Sequence, residues 1–314
     1  MRTVRRVPLT TLTSGMELAL CIHKIQGTLG DGPTLGISAA IHGDEPGGTH
    51  MVMEIARRYG GGNFRGRLIL LPVANPLAFE AYSRNTPLDA QNMNRLFPGN
   101  AGGRVTEQLV ALITAEFLNT IDVYIDIHTA AQPTVDYIYI LNAEDLSRSF
   151  GSRVLYRSEA GRAGPVYDGN STSVTRARGV PSVTVELGGG TIDQTPYIAR
   201  GVAGVENIMR TLGMVDGEPP PPPEQIVVHA ITMVRLKAGG FLYTEAPPLG
   251  DEIAGGAVLG RVVSPHTFDE LEVIRSPVDQ GIMILSHLTT GLVQPGEDGY
   301  MVGDLTGCER FGGV

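Results

Sequence analysis

The sequence predicts an α/β fold: a mostly parallel, mixed sheet flanked by helices, followed by a smaller all-β domain. Three observations predict it. Before residue 218, short apolar runs alternate with amphipathic helical patterns, the arrangement of strands joined by helical crossovers. Five consecutive prolines, Pro219 to Pro223, then form a stretch that continues neither a helix nor a central strand and favours a semi-rigid spacer. After them, short alternating segments such as "GAVLGRVVS" and "QGIMILSHL" are separated by Gly and Pro turns, which reads as a compact β module. The expected division is a larger domain over 1–217, a linker over 218–224 and a β domain over 225–314.

In chain order, the expected strands are "TLGISAAI" (34–41), "GRLILLPVA" (66–74), "DVYIDIH" (122–128), "VDYIYIL" (135–141) and "PSVTVEL" (181–187). Helices fit at 47–59, 105–119 and 196–213. In the second, Val105, Leu109, Leu112, Ile113 and Phe117 recur at helical spacing, so that stripe is assigned to the core.

Length and composition narrow the classes. With 314 residues, 42% of them hydrophobic, the chain is long enough to bury a sizeable core. Its net charge is −9 and its basic residues are scattered, which argues against a nucleic-acid or anionic-membrane partner and for a small-molecule substrate. No apolar run reaches membrane-spanning or signal-peptide length, so a cytoplasmic protein is expected. Cys21 and Cys308 are too few and too far apart for a disulfide framework, and are expected as small buried hydrophobes. Self-association into a homo-oligomer is left open.

In open α/β sheets ligands bind beyond the carboxyl ends of the strands, so polar residues that follow strand runs are the informative ones. The run 34–41 leads to His42 and Glu45, 122–128 ends on His128, 181–187 contains Glu186, and 66–74 leads to a long polar loop with Arg84, Asn94 and Arg95. Two imidazoles and a carboxylate are a common zinc ligand set that leaves a position for water. Taken singly each residue has a bland alternative: His128 a hydrogen-bonded strand end, Glu186 a loop cap, the arginines solvated. Convergence on one sheet edge raises the metal reading above them. Asp126 shares a strand face with His128 and either orients a ligand or makes a structural hydrogen bond. The other histidines, His23, His50, His229, His266 and His287, lack that context.

The ordered set "HGDE", Asn75-Pro76, Arg84, "NMNRLFPG", "DIHT" and "VELGGG" resembles the succinylglutamate desuccinylase and aspartoacylase family, distant relatives of the zinc carboxypeptidases. The resemblance implies a zinc carboxypeptidase-like catalytic domain and a barrel-sandwich-like β domain that covers or restricts the cleft. It implies one zinc ion per chain, held by His42, Glu45 and His128, with Glu186 as the general base. Arg84 aligns with the arginine that polarises the scissile carbonyl, and Asn94 and Arg95 with the pair that grips a substrate carboxylate. The expected enzyme is a zinc-dependent amidohydrolase acting on the linear amide of a small N-acyl amino acid.

The "LGGG" after Glu186 resembles the branch that deacetylates N-acetylated diamino acids in ectoine breakdown. A peptide-trimming metallocarboxypeptidase and an inactive metal-binding homologue are the rivals. The β domain also resembles biotinyl carriers, but Lys237, the only lysine after residue 24, does not lie in an obvious exposed hairpin. The segment 166–176, "VYDGNSTSVTR", is polar and expected near the site without an assigned role.

Overall fold

A computed structural model describes residues 2–130, 132–159, 161–162, 168–190, 192–222, 224–288 and 290–312. Val166 and Tyr167 of the polar segment, and Pro223 of the linker, lie outside the described residues. The spine is a ten-stranded sheet. In chain order its first nine strands are β1 (Arg2–Thr11), β2 (Glu17–Gln26), β3 (Thr34–Ser38), β4 (Arg67–Leu71), β5 (Val123–Ala130), β6 (Tyr137–Tyr139), β7 (Val154–Tyr156), β8 (Ser182–Gly189) and β9 (Gln225–Val228). The helices are α1 (Pro46–Tyr59), α2 (Pro76–Glu80), α3 (Val105–Glu116), α4 (Glu144–Ser149), α5 (Ser171–Ala177) and α6 (Thr195–Thr211). The five strands expected from apolar pattern coincide with β3, β4, β5, β6 and β8, and the three expected helices with α1, α3 and α6, with ends shifted by the usual fraying.

The central strands β4, β3, β5 and β8 are parallel neighbours, and β5 is buried along nearly its whole length, as a strand covered on both faces must be. On one face α1, α4 and α6 pack over Leu35, Ile37, Ile125, Ile127, Val183 and Val185. On the other, α3 covers Ile69, Leu71 and Tyr124. Alternation along β5 then puts Asp126 and His128 on the α3 face with Tyr124.

Beyond α3 that face meets the β region. It consists of β10 (Ile231–Arg235), β11 (Gly240–Thr244), β12 (Glu252–Ala254), β13 (Val258–Val263), β14 (Glu270–Arg275), β15 (Gln280–Leu285), β16 (Gly291–Val293) and β17 (Asp298–Asp304). They form two four-stranded antiparallel sheets around Leu242, Val262, Met283 and Val302. Ile231, Ile284 and Met301 pack against Tyr137, Tyr156 and Val228 of the large sheet.

Three features differ from expectation. The strand that directly follows the prolines, β9, is not part of the β module: it pairs with β7, and the terminal strand β18 (Glu309–Phe311) returns to pair with β9. The chain after the prolines enters the large sheet between β7 and the outermost strand β18, so the β region's own sheets span 231–304 rather than 225–314. Cys21 is exposed and Cys308 half-buried, because Cys21 alternates with Leu20 and Ile22 on β2 and takes the outer face. The N-terminal hairpin β1–β2, antiparallel and added beside β4, was not anticipated.

Candidate metal centre

After β3 the chain turns through Ala40, a non-glycine residue held at φ 52°. Its carbonyl accepts a hydrogen bond from the Asn75 amide at 2.9 Å, one of the contacts that hold this uncommon conformation. The turn carries His42 and Glu45 over the carboxyl edge of the sheet, into the loop that opens α1. Gly43 packs directly on α2: a Cβ there would lie 2.0 Å from the Ala78 carbonyl carbon, so no other residue fits without moving the loop.

β5 delivers His128, and β8 places Glu186 beside it in register. Asp126 pairs with Thr184 one step back, and the row continues into β6, where Tyr137 pairs with Glu186 and Tyr139 with Thr184. Residues directly paired across strands point to one face. Glu186 therefore stands beside His128, and the tyrosines extend the same floor toward the β region.

Glu45 lies between the two imidazoles, with Oε1 2.7 Å from His42 Nδ1 and Oε2 2.9 Å from His128 Nδ1. All three side chains are only 2–3% exposed. The opposite ring nitrogens face side-chain oxygens: His42 Nε2 is 3.2 Å from Asn92 Oδ1, and His128 Nε2 3.3 Å from Asp126 Oδ2. An imidazole that gives its Nε2–H to such an oxygen would have its Nδ1 lone pair available to a cation seated beside Glu45. One donor atom from each residue lies within 4.8 Å of the others, and among the described residues this is the only such group.

Charge supports a cation there. Burial alone would raise the Glu45 carboxyl, but His42 and His128 hold it well below the usual carboxylate range. Burial alone would lower His128, yet Asp126 and Glu45 push it well above the ordinary imidazole value. In the bare chain a proton on His128 thus balances buried carboxylates. A divalent ion on two nitrogens and one oxygen would meet the same demand, and that donor set suits zinc.

Around the cluster, Arg84 Nη1 lies 3.3 Å from both His42 Nδ1 and Glu45 Oε1. Burial pushes the Glu186 carboxyl up to about 7, with His128 opposing the rise and Glu45 adding to it. Asn94 is buried, its Nδ2 3.4 Å from His128 Nε2 and its Oδ1 accepting from the Ser171 amide at 3.3 Å. Arg95 donates to the Asn94 carbonyl at 2.7 Å.

His42, Glu45, His128, Glu186, Arg84, Asn94 and Arg95 all line one cavity of about 810 Å³. Met233, Leu285 and Met301 of the β region form part of its wall. Sequence reasoning missed Asn92, although it stands in "NMNR", and Arg176, which reaches the cavity from α5. His50 is exposed on α1 and takes no part, while His229 pairs with Glu159 and Glu309 away from the cluster.

Comparison with known proteins places this geometry in context. The family model of the succinylglutamate desuccinylase/aspartoacylase catalytic domain matches residues 31–212. The N-alpha-acetyl-L-2,4-diaminobutyric acid deacetylase of Halomonas elongata is 30% identical over 249 residues, 74% of this chain and 71% of that one. The product-bound ectoine utilization protein EutE (DoeB) of Ruegeria pomeroyi has a similar structure, with a TM-score of 0.84 at 25% identity over 97% of this chain and 94% of the other. The succinylglutamate desuccinylase/aspartoacylase of Rhodobacter sphaeroides has a TM-score of 0.82 over 96% and 95% of the two chains, and at 23% identity it is a likeness of fold.

Proposed function

The chain belongs to the succinylglutamate desuccinylase/aspartoacylase family, and from that membership we propose a zinc-dependent amidohydrolase that removes the acyl group from a small N-acyl amino acid with a free carboxylate. The observation that carries this reading is the meeting of His42, Glu45 and His128 with Glu186 and Arg84 at one end of one cavity. A zinc ion held by those three residues would lower the pKa of water toward ~7 and so supply hydroxide at neutral pH. Glu186 takes the proton from the attacking water and delivers it to the leaving nitrogen, a task that suits a carboxyl raised to about 7. Arg84 holds positive charge where the carbonyl oxygen becomes negative.

Arg95 is the substrate's carboxylate anchor, with Asn94 beside it. A guanidinium offers a carboxylate two parallel hydrogen bonds that a neutral analogue does not use fully. Arg95→Ala is expected to raise KM about tenfold for carboxylate substrates and to leave kcat within a few-fold, with a much smaller change on the corresponding primary amides. Steady-state kinetics on both series checks it, and equal losses on both would remove the role.

The Halomonas elongata relative is named for N-alpha-acetyl-L-2,4-diaminobutyric acid, so an N-acetylated diamino acid heads the expected substrates. The Met233, Leu285 and Met301 wall supports a cleft restricted to small molecules. We place the protein in the cytoplasm, where the free thiols Cys21 and Cys308 are at home, and no described helix is long and apolar enough to cross a membrane. The test is a panel of N-acyl amino acids beside short peptides, run with the zinc-loaded enzyme. Turnover of N-acetyl diamino acids with little on peptides is expected; the reverse ranking would make the chain a carboxypeptidase.

A further inference from the structure

The start of α5 lies within the polar segment 166–176, and its contacts join it to the metal centre from two sides. Ser171 Oγ donates to Asp126 Oδ2 at 2.5 Å, the same oxygen that faces His128 Nε2. The Ser171 amide donates to Asn94 Oδ1, and the other end of that amide group faces His128 Nε2 as well. The Asp126 oxygen that can accept from the outer nitrogen of His128, at 3.3 Å, and the Asn94 amide packed against that nitrogen, at 3.4 Å, are therefore both held by one serine. Asp126 Oδ1 is held in turn by Ser38 Oγ at 3.1 Å, and Ser38 Oγ lies 2.6 Å from the Tyr124 hydroxyl. Ser38, Tyr124, Asp126 and Ser171 are all fully buried, so none of these bonds is replaced by water when it breaks.

The same short helix forms part of the cleft. Thr172 and Arg176 line the cavity, and just before α5 the Gly169 carbonyl accepts from the Phe97 amide at 2.9 Å. Gly169 sits at φ 75°, and a Cβ there would lie 2.5 Å from the Arg95 carbonyl oxygen. The wall carrying Arg176, the loop carrying Asn94 and Arg95, and the ligand His128 thus share one buried junction.

We propose that Ser171 is a positioning residue: by holding Asp126 and Asn94 it fixes the ring of His128 for metal binding and keeps the α5 wall in register with the metal centre. The proposal rests on the metal-dependent function inferred above. A hydroxyl suits this position because it donates to the carboxylate while the backbone amide serves Asn94, two bonds from one residue at the first turn of a helix. Alanine keeps the second bond and loses the first. Asp126 then has one fewer donor, and the ring it orients gains freedom.

The experiment compares wild type, Ser171→Ala and Thr175→Ala. The Thr175 hydroxyl anchors the other end of α5 through Ser182 at 2.7 Å and the Thr172 carbonyl at 3.1 Å, so its removal reports on loosening the helix while the Ser171 bonds to Asp126 and Asn94 are kept. Zinc affinity is measured by competition with a chromophoric chelator on metal-free protein, alongside kcat, KM and the Tm of the metal-free forms. Expected is at least ~10-fold weaker zinc binding and a lower kcat for Ser171→Ala, with zinc affinity unchanged in Thr175→Ala even where its Tm falls as far. Wild-type affinity in Ser171→Ala, or an equal loss in Thr175→Ala, overturns the proposal while leaving the functional reading intact. A wild type that binds no zinc overturns both.

Discussion

Glu186→Gln is expected to keep the wild-type metal content and to lose activity by a factor of about 10³ or more. Glutamine has nearly the same shape and leaves the proposed ligands His42, Glu45 and His128 untouched, so the change would remove only the capacity to accept and return a proton. Proton transfer by a positioned group contributes about 10² to 10⁴ in rate. Here the whole contribution is at stake, because the other carboxylates of the cluster are committed: Glu45 between the two imidazoles, Asp126 to Ser38, Ser171 and His128. In the metal-free chain burial raises the Glu186 carboxyl to about 7, a range in which a group would both take up and return a proton near neutral pH. Metal analysis and kcat measured on the same preparation check it. A variant that keeps both its zinc and its turnover would transfer the proton role to another group.

Removing the metal is expected to abolish turnover and to lower the melting temperature by several degrees, with both restored by about one equivalent of zinc. A ligand that binds only the folded state stabilises it by about 4 kcal/mol at a thousand times its Kd. The charges give a local cause: Asp126 and Glu45 push the buried His128 well above the ordinary imidazole value, and an ion held by the proposed ligands His42, Glu45 and His128 would take over that balance. Dialysis against a chelator followed by calorimetry and activity before and after zinc addition makes the measurement. Full activity at zero metal content would end the zinc reading.

Much of this was legible in the sequence, for a physical reason. Buried parallel strands must be apolar, so "TLGISAAI", "VYIDI" and "SVTV" announced β3, β5 and β8, and the polar residues at their ends announced the cleft. Family membership and the α/β fold class agree with that reading. What stayed hidden depends on pairing between distant segments. Nothing local in "NSTSV" says that Ser171 will meet Asp126, because that contact is made only when α5 crosses β5. Asn92 looked like part of a substrate loop, and its bond to His42 depends on how that loop folds back. The N-terminal hairpin escaped because its exposed edge strand, rich in arginine, carries a weak apolar pattern. The terminal strand β18 was invisible for the same reason: three residues, "ERF", acquire meaning only beside β9.

That last pairing has a mechanical consequence. The β region leaves the large sheet through His229 and Ala230 and rejoins it through Leu305 to Cys308, so it is sewn at both ends to one border, β9 and β18. It is also fastened in its middle, where the Val135 amide donates to the Ile284 carbonyl at 2.8 Å, Thr134 bridges Leu285 and Arg153 donates to the Gly250 carbonyl at 2.7 Å. Held at its two ends and its middle, the wall that carries Leu285 and Met301 keeps a set distance from the tyrosine floor, so the width of the cleft belongs to the scaffold rather than to any one loop.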